Sequence, residues 1–130
     1  MNSEVIYMKN IDESNIDWRS ICPISSSLDI LGDKWSLLVI RDLIIHGPRT
    51  YSQLLESPER ISTNILASRL SLLTYLKLIE RVNPKATSRN NAYQLTESGA
   101  ALRPVLESLG KWASVHLSDF HKNILKLPES

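Results

Sequence analysis

The chain has 130 residues, 15 Lys and Arg against 14 Asp and Glu, and a single cysteine, Cys22. That length fits one domain burying roughly two-thirds of the surface of its unfolded chain, and the lone cysteine excludes an intrachain disulfide and argues against structural zinc. With no apolar run near the ~18 residues of a membrane span and no basic-then-apolar leader, the chain reads as soluble and cytoplasmic, without a membrane partner.

The net charge of +1 hides an asymmetry. Between positions 60 and 95 lie Arg60, Arg69, Lys77, Arg81, Lys85 and Arg89 against Glu80 alone, whereas the first twenty residues lean acidic. A basic middle is what an electrostatic footprint on phosphate requires.

Residues 1–21 carry no long periodic pattern. Ile11, Ile16 and Trp18 suggest a short turn or docked arm, expected to be the least ordered part. Pro23 and the serines after it open a short helix over 26–31, which Gly32 closes. Asp33 is placed to cap a second helix whose Trp35, Leu37, Leu38, Val39, Ile40, Leu43 and Ile44 make it apolar around most of its girth, so it belongs in the middle of the fold. His46, Gly47 and Pro48 stop it.

Residues 49–51 are long enough only for a bridge of strand. Ser52 then caps a helix of about two turns, SQLLES, ended by Ser57 and Pro58. The stretch 61–81, ISTNILASRLSLLTYLKLIER, organises the rest. Ser62 is a good N-cap. At about 100° per residue, Ile65, Leu66, Leu70, Leu72, Leu73 and Leu76 share one arc, and Thr63, Asn64, Ala67, Ser68, Ser71 and Tyr75 share the other. A short, uncharged face of hydroxyl, amide and methyl groups is unusual on a solvated helix and suits close approach to base edges. Arg69 falls on the apolar arc, so it reads as a structural guanidinium in need of a partner, with Asp42 or Glu80 as candidates.

Residues 79–82 and 92–95 are short strand candidates around a polar, cationic tip at 83–91. Thr96 caps a last long helix in which Leu102, Val105, Leu106, Leu109, Trp112, Ala113, His116, Leu117 and Phe120 recur at helical spacing, and Pro104 must kink or divide it near Ala100. Helix, helix, helix and hairpin is the winged helix-turn-helix order. The fold class is therefore mainly α with a small β-hairpin wing: an arm over 1–21, the domain over 22–122 and a tail over 123–130.

Catalysis is a poor reading. His46, His116 and His121 are scattered, no Gly-rich phosphate loop or paired-carboxylate arrangement occurs, and no metal or cofactor is expected. Double-stranded DNA is the expected partner. Thr63, Asn64, Ala67, Ser68 and Ser71 are the candidates for base contact, Arg89 and Lys85 for wing contacts, and Arg49, Thr50 and Ser52 for phosphate. The rival reading is a winged helix used as a protein-interaction module, with the last helix as its binding surface. Cys22 precedes a helix N-terminus, a setting that favours oxidation or alkylation of a thiol; the alternative is a buried, inert cysteine. Trp35, Tyr93 and Trp112 are core or interface aromatics that can also wall a small-molecule effector site.

The chain also resembles the HxlR-type winged-helix transcriptional regulators of bacteria, related in fold to the MarR group. The likeness rests on Cys22 and Pro23, GDKWSLLVIRDL at 32–43, GPRTYSQL at 47–54, Ile61, Ser62, Leu66, Arg69 and Leu70, LIER at 78–81, YQLTESG at 93–99 and LRPVL at 102–106. It implies a homodimer on a pseudo-palindromic operator, with dimer contacts from the first and last helices; Leu28, Leu102, Leu106, Leu109, Trp112, Leu117 and Phe120 are the candidates. Some members use a cysteine at the position of Cys22 to sense oxidants or electrophiles, so an oxidant is a candidate effector. Two departures stand out. Leu76 and Lys77 replace the Asp-Gly or Asn-Gly pair usual after the recognition helix, which assigns a left-handed turn to a residue with a steric cost there. On the wing, Ser88, Arg89 and Asn90 stand where Pro-Pro-Arg is common.

Overall fold

The computed structural model describes residues 16–86 and 90–127. The first fifteen residues, with Ile11, lie outside that range, as do the wing-tip residues 87–89 and the last three of the tail.

Residues 16–22 enter without helix and are tied to the first helix where Arg19 donates to Asp29. Helix α1 (Pro23–Leu31) starts earlier than its serines suggest, with Cys22 as N-cap and the proline at its first position, where a missing N–H costs nothing. Helix α2 (Ser36–His46) follows. One carboxylate oxygen of Asp33 accepts from the amides of Trp35 and Ser36, both at 2.9 Å, so two orphan donors of the helix start are satisfied by one side chain. Ile40 is fully buried, and α2 touches elements on both sides of it in the chain. The helix ends at Gly47, whose φ of 75° lies in the region a side chain disfavours.

Strand β1 (Arg49–Thr50) leads directly into helix α3 (Tyr51–Leu54), a single turn. Its cap is Thr50 and not Ser52. The Thr50 hydroxyl accepts from the Gln53 amide at 3.2 Å while the Gln53 side chain accepts from the Thr50 amide at 2.9 Å, a reciprocal capping box. Helix α4 (Thr63–Tyr75) starts at Ser62, whose Oγ accepts from the Ile65 amide at 3.3 Å.

Strands β2 (Ile79–Arg81) and β3 (Ala92–Leu95) form the hairpin, and β1 adds on the far side of β3 to give the antiparallel order β1-β3-β2. Ile79 faces Leu95 and Arg81 faces Tyr93; Arg49 also faces Tyr93, across the other edge of β3. The last helical stretch is divided, as Pro104 requires: α5 (Glu97–Ala100) is capped by Thr96, and α6 (Arg103–His116) restarts with the proline in its first turn. Gly99 fits under β2 because any Cβ there would collide with the carbonyl oxygen of Leu78.

The core joins Val39, Ile40 and Leu43 of α2, Leu54, Ile61, the inner face of α4 (Leu66, Leu70, Leu73) and Ile79. Each such side chain contributes about 1.5–3 kcal/mol by leaving water, so α4 is held mainly by its leucines. No helix among the described residues is long and apolar enough to cross a membrane.

Candidate nucleic-acid interface

Helix α4 is fixed at its start, its middle and its end. At the start, the Tyr51 hydroxyl donates to the carbonyl of Thr63 at 2.8 Å, linking the two helices of the helix-turn-helix. The turn between them is held from α2. Arg41 grips Glu59 with two hydrogen bonds of 2.8 Å and reaches the Ser57 hydroxyl at 3.0 Å. The Arg41 guanidinium, helped by the Ser57 hydroxyl, holds the Glu59 carboxyl well below its usual range, at about 2. Arg60 takes the left-handed conformation in this turn, at φ 63°.

In its middle, α4 presents Arg69 to the core, as its position on the apolar arc requires, and a carboxylate absent from the sequence candidates stands beside it. The Arg69 guanidinium lies 3.5 Å from Asp33 at the α1–α2 corner. Asp42 is engaged by Arg41, at 2.9 Å, and Glu80 is exposed on β2. At the end, Lys77 adopts the left-handed turn at φ 61°, the steric cost its sequence implies. Its carbonyl accepts from the hydroxyls of Thr96 at 2.6 Å and Ser98 at 2.9 Å.

The outer face carries Thr63, Asn64, Ala67 and Ser71, all exposed. Ser68 is different: it is half-buried, and its hydroxyl is enclosed without a hydrogen-bond partner among the described residues. Thr74, absent from the sequence candidates, is exposed on the same side. It lies within about 20° of Thr63 and Ala67 around the axis, so the periodicity that places the others is sufficient to find it.

On the wing, Asn91 donates to the carbonyls of Asn83 at 2.7 Å and Ala86 at 3.3 Å and accepts from the Asn83 amide at 3.1 Å. Arg81 lies over the Tyr93 ring, 5.6 Å from its centroid, and donates to the Ala86 carbonyl. The neck of the hairpin is thus closed by side chains and Lys85 is left exposed above it; Arg89 falls outside the described residues. Behind the wing, Arg49 is half-buried in the sheet, Thr50 is used as a cap and Ser52 is exposed. Lys34 packs its ammonium over the Trp35 ring at 5.3 Å.

Away from α4, Cys22 is free and exposed, so it is not a buried core residue of this chain. Leu28, Leu109, Trp112, Leu117 and Phe120 are exposed. Leu102 and Leu106 are not: both pack against the core, and Val105 takes their place on the outer face in line with Leu109 and Trp112. The Trp112 and His116 rings lie 5.7 Å apart. Among the described residues no group of three metal-binding side chains converges.

A helix-turn-helix whose second helix shows a small polar face, followed by a hairpin with a cationic tip, defines a winged helix-turn-helix protein. The profile of the HxlR-like helix-turn-helix family matches residues 30–120, and the chain belongs to that family. The HTH-type transcriptional regulator YodB of Bacillus subtilis (strain 168) is 33% identical over 96 residues, covering 73% of this chain and 85% of YodB. The HTH-type transcriptional regulator sll1512 of Synechocystis is 40% identical over 95 residues, 72% of this chain and 69% of that one. The structure of reduced YodB superposes with a TM-score of 0.63 at 32% identity, covering 77% of this chain and 98% of YodB. YodB has also been solved bound to quinone and after diamide treatment. The protein is accordingly a DNA-binding transcriptional regulator, and the family is one of regulators and not of enzymes.

Proposed function

We propose that the protein acts as a homodimer on a pseudo-palindromic operator, with one α4 in each of two adjacent major grooves and the wings on the flanking backbone. The observation that carries this reading is the uncharged, small-polar exposed face of α4. Asn64 suits an adenine edge, Ala67 and the Thr63 methyl suit thymine methyls, and Ser71 accepts or donates; Thr74 extends the same stripe. Arg49, Thr50, Ser52, Lys85 and Arg89 meet phosphates or, at the wing tip, a minor groove. The working domain spans 22–122.

The dimer forms through the apolar outer faces of α1 and α6, with Leu28, Val105, Leu109, Trp112, Leu117 and Phe120 at its centre. Grooves on one side of a duplex are about 34 Å apart, so this interface sets the spacing of the two α4 helices. Cys22 stands at the entrance to α1, where its modification alters that interface. A two-electron oxidant takes two electrons and two protons from the Cys22 thiols of two protomers to leave a disulfide; a quinone adds instead to one thiol through a new C–S bond. Cys22 precedes the span that matches the family, so this reading rests on its exposure and its place at the helix start.

Selection of bound duplexes from a genomic pool, followed by salt titration with and without diamide or quinone, tests all three parts. The expected result is a palindromic site, affinity falling steeply with salt, and an oxidant response that Cys22→Ser abolishes. An unchanged response in Cys22→Ser removes the thiol switch; no enriched site removes operator binding.

A further inference from the structure

We propose that Asp33 and Arg69 form a joint that sets the rotation of the recognition helix against the α1–α2 corner, which makes both of them positioning residues for base readout. The inference rests on the reading of α4 as the element that meets base edges. Arg69 is 2% exposed and the Asp33 side chain 7%, with Nη1 and Oδ1 3.5 Å apart. At 3.6 residues per turn, Arg69 lies about half a turn from the midpoint of Ala67 and Ser71. The charge therefore anchors the back of α4 directly behind the face presented to DNA.

The other end of the joint is equally constrained. Oδ2 of Asp33 is held by the Trp35 and Ser36 amides, so the carboxylate cannot turn without uncapping α2. Ser36 beside it is fully buried, and its hydroxyl has no hydrogen-bond partner among the described residues. The corner is thus more polar than packing needs, since apolar side chains of similar volume usually serve a core as well as a buried ion pair or better. What the pair adds over leucine or methionine is direction. A leucine contact tolerates slippage, whereas here the hold is by charge: Oδ1 makes no hydrogen bond to the guanidinium at this distance, but it draws Arg69 toward a carboxylate that two amides pin at one point of the corner. Side chains reach about 5 Å from a helix axis, so a 10° rotation of α4 moves Asn64 by about 1 Å, enough to lose a hydrogen bond.

The test uses the duplex that the parent protein selects and a scrambled duplex of equal length, with thermal unfolding of each variant in parallel. Asp33→Asn and Arg69→Met each remove one member of the buried pair, and both are expected to unfold at lower temperature. The double variant Asp33→Asn/Arg69→Met removes both charges and keeps an amide oxygen to cap α2, so it should regain most of that loss. Its specific-to-scrambled affinity ratio should nonetheless fall about tenfold or more, with scrambled-duplex affinity within about twofold of the parent, because the phosphate contacts are untouched.

A double variant with the parental ratio overturns the proposal. The ratio is independent of the folded fraction, which scales both affinities alike, so even a poorly stable double variant discriminates between the two outcomes. A parent with no preferred duplex overturns base readout itself, and the joint with it, a result distinct from all the others.

Discussion

Helix α4 buries a full side in the core and α6 leans on it through Leu106 and buries Ser114, yet the bare sides of the two helices differ in kind. On α4 the exposed groups are hydroxyls, an amide and a methyl, with no charge and no large apolar side chain among Thr63, Asn64, Ala67, Ser71 and Thr74. On α6 they include an apolar stripe of Val105, Leu109, Trp112 and Val115, flanked by Arg103, Glu107 and Ser108. Water tolerates the first surface, but the second leaves apolar area exposed that a protein surface can cover. The contrast teaches that the domain divides its surface chemically, which is the division that the proposed placing of nucleic acid on one helix and a protein partner on the other requires.

The division can be broken first on α6. Leu109→Glu with Trp112→Glu places two charges at the proposed dimer seam and should weaken self-association about a hundredfold or more, read by sedimentation across a concentration series. Helical content should hold, because both side chains are already exposed. An unchanged dimer would move the seam elsewhere. On α4 the matching change is Asn64→Ala, with an expected cost of about 1–3 kcal/mol in specific affinity and no change in sedimentation; loss of the dimer instead would erase the division.

Two smaller effects sharpen the same comparison by testing how α4 is mounted. Tyr51→Phe deletes the donor to the Thr63 carbonyl and should lower stability by about 1 kcal/mol, seen as an earlier urea midpoint. The smallest effect is acidic. Glu59 has a folded value of about 2 against an ordinary 4.5, so its contribution is fully present above the higher value and disappears as the pH falls toward the lower one. Glu59→Gln should flatten that acid limb, compared by urea midpoints at about pH 5 and about pH 3; an unaltered limb would assign it to other carboxylates.

Much of this architecture is legible in the chain because its punctuation is local. Ser62 and Thr96 cap the helices they precede, Pro104 divides the last helical stretch, and the two strands follow alternation and turn residues. Two differences arise from phase and competition. Leu102 and Leu106 are grouped with Leu109 and Trp112 as seam candidates, but within α6 Leu106 lies about 60–120° around the axis from Leu109, Trp112 and Val105, and Leu102 sits at the break before the helix, so both turn inward. Ser52 and Thr50 are both capping residues, and the reach of Gln53 back to the Thr50 amide decides between them. The approach of Arg69 to Asp33 is not legible at all. No periodicity links a helix interior to Asp33 in a corner two helices earlier; only the packing of α4 across α2 brings them together. The outer face of α4 follows from helical spacing, but the enclosure of the Ser68 hydroxyl depends on neighbours that a helical wheel does not contain.

The joint after α4 has a consequence for the order in which this sequence can change. Lys77 occupies a left-handed turn costing about 1–2 kcal/mol for a residue with a side chain, and its carbonyl is clamped by the hydroxyls of Thr96 and Ser98. With lysine in place, loss of either hydroxyl weakens the hold on a conformation the backbone resists. Once position 77 becomes glycine, the turn no longer depends on the clamp to the same degree, and Ser98 becomes free to drift. The two substitutions are therefore tolerated in one sequence, glycine first, and penalised in the other, so the permitted residues at 98 depend on the history of position 77.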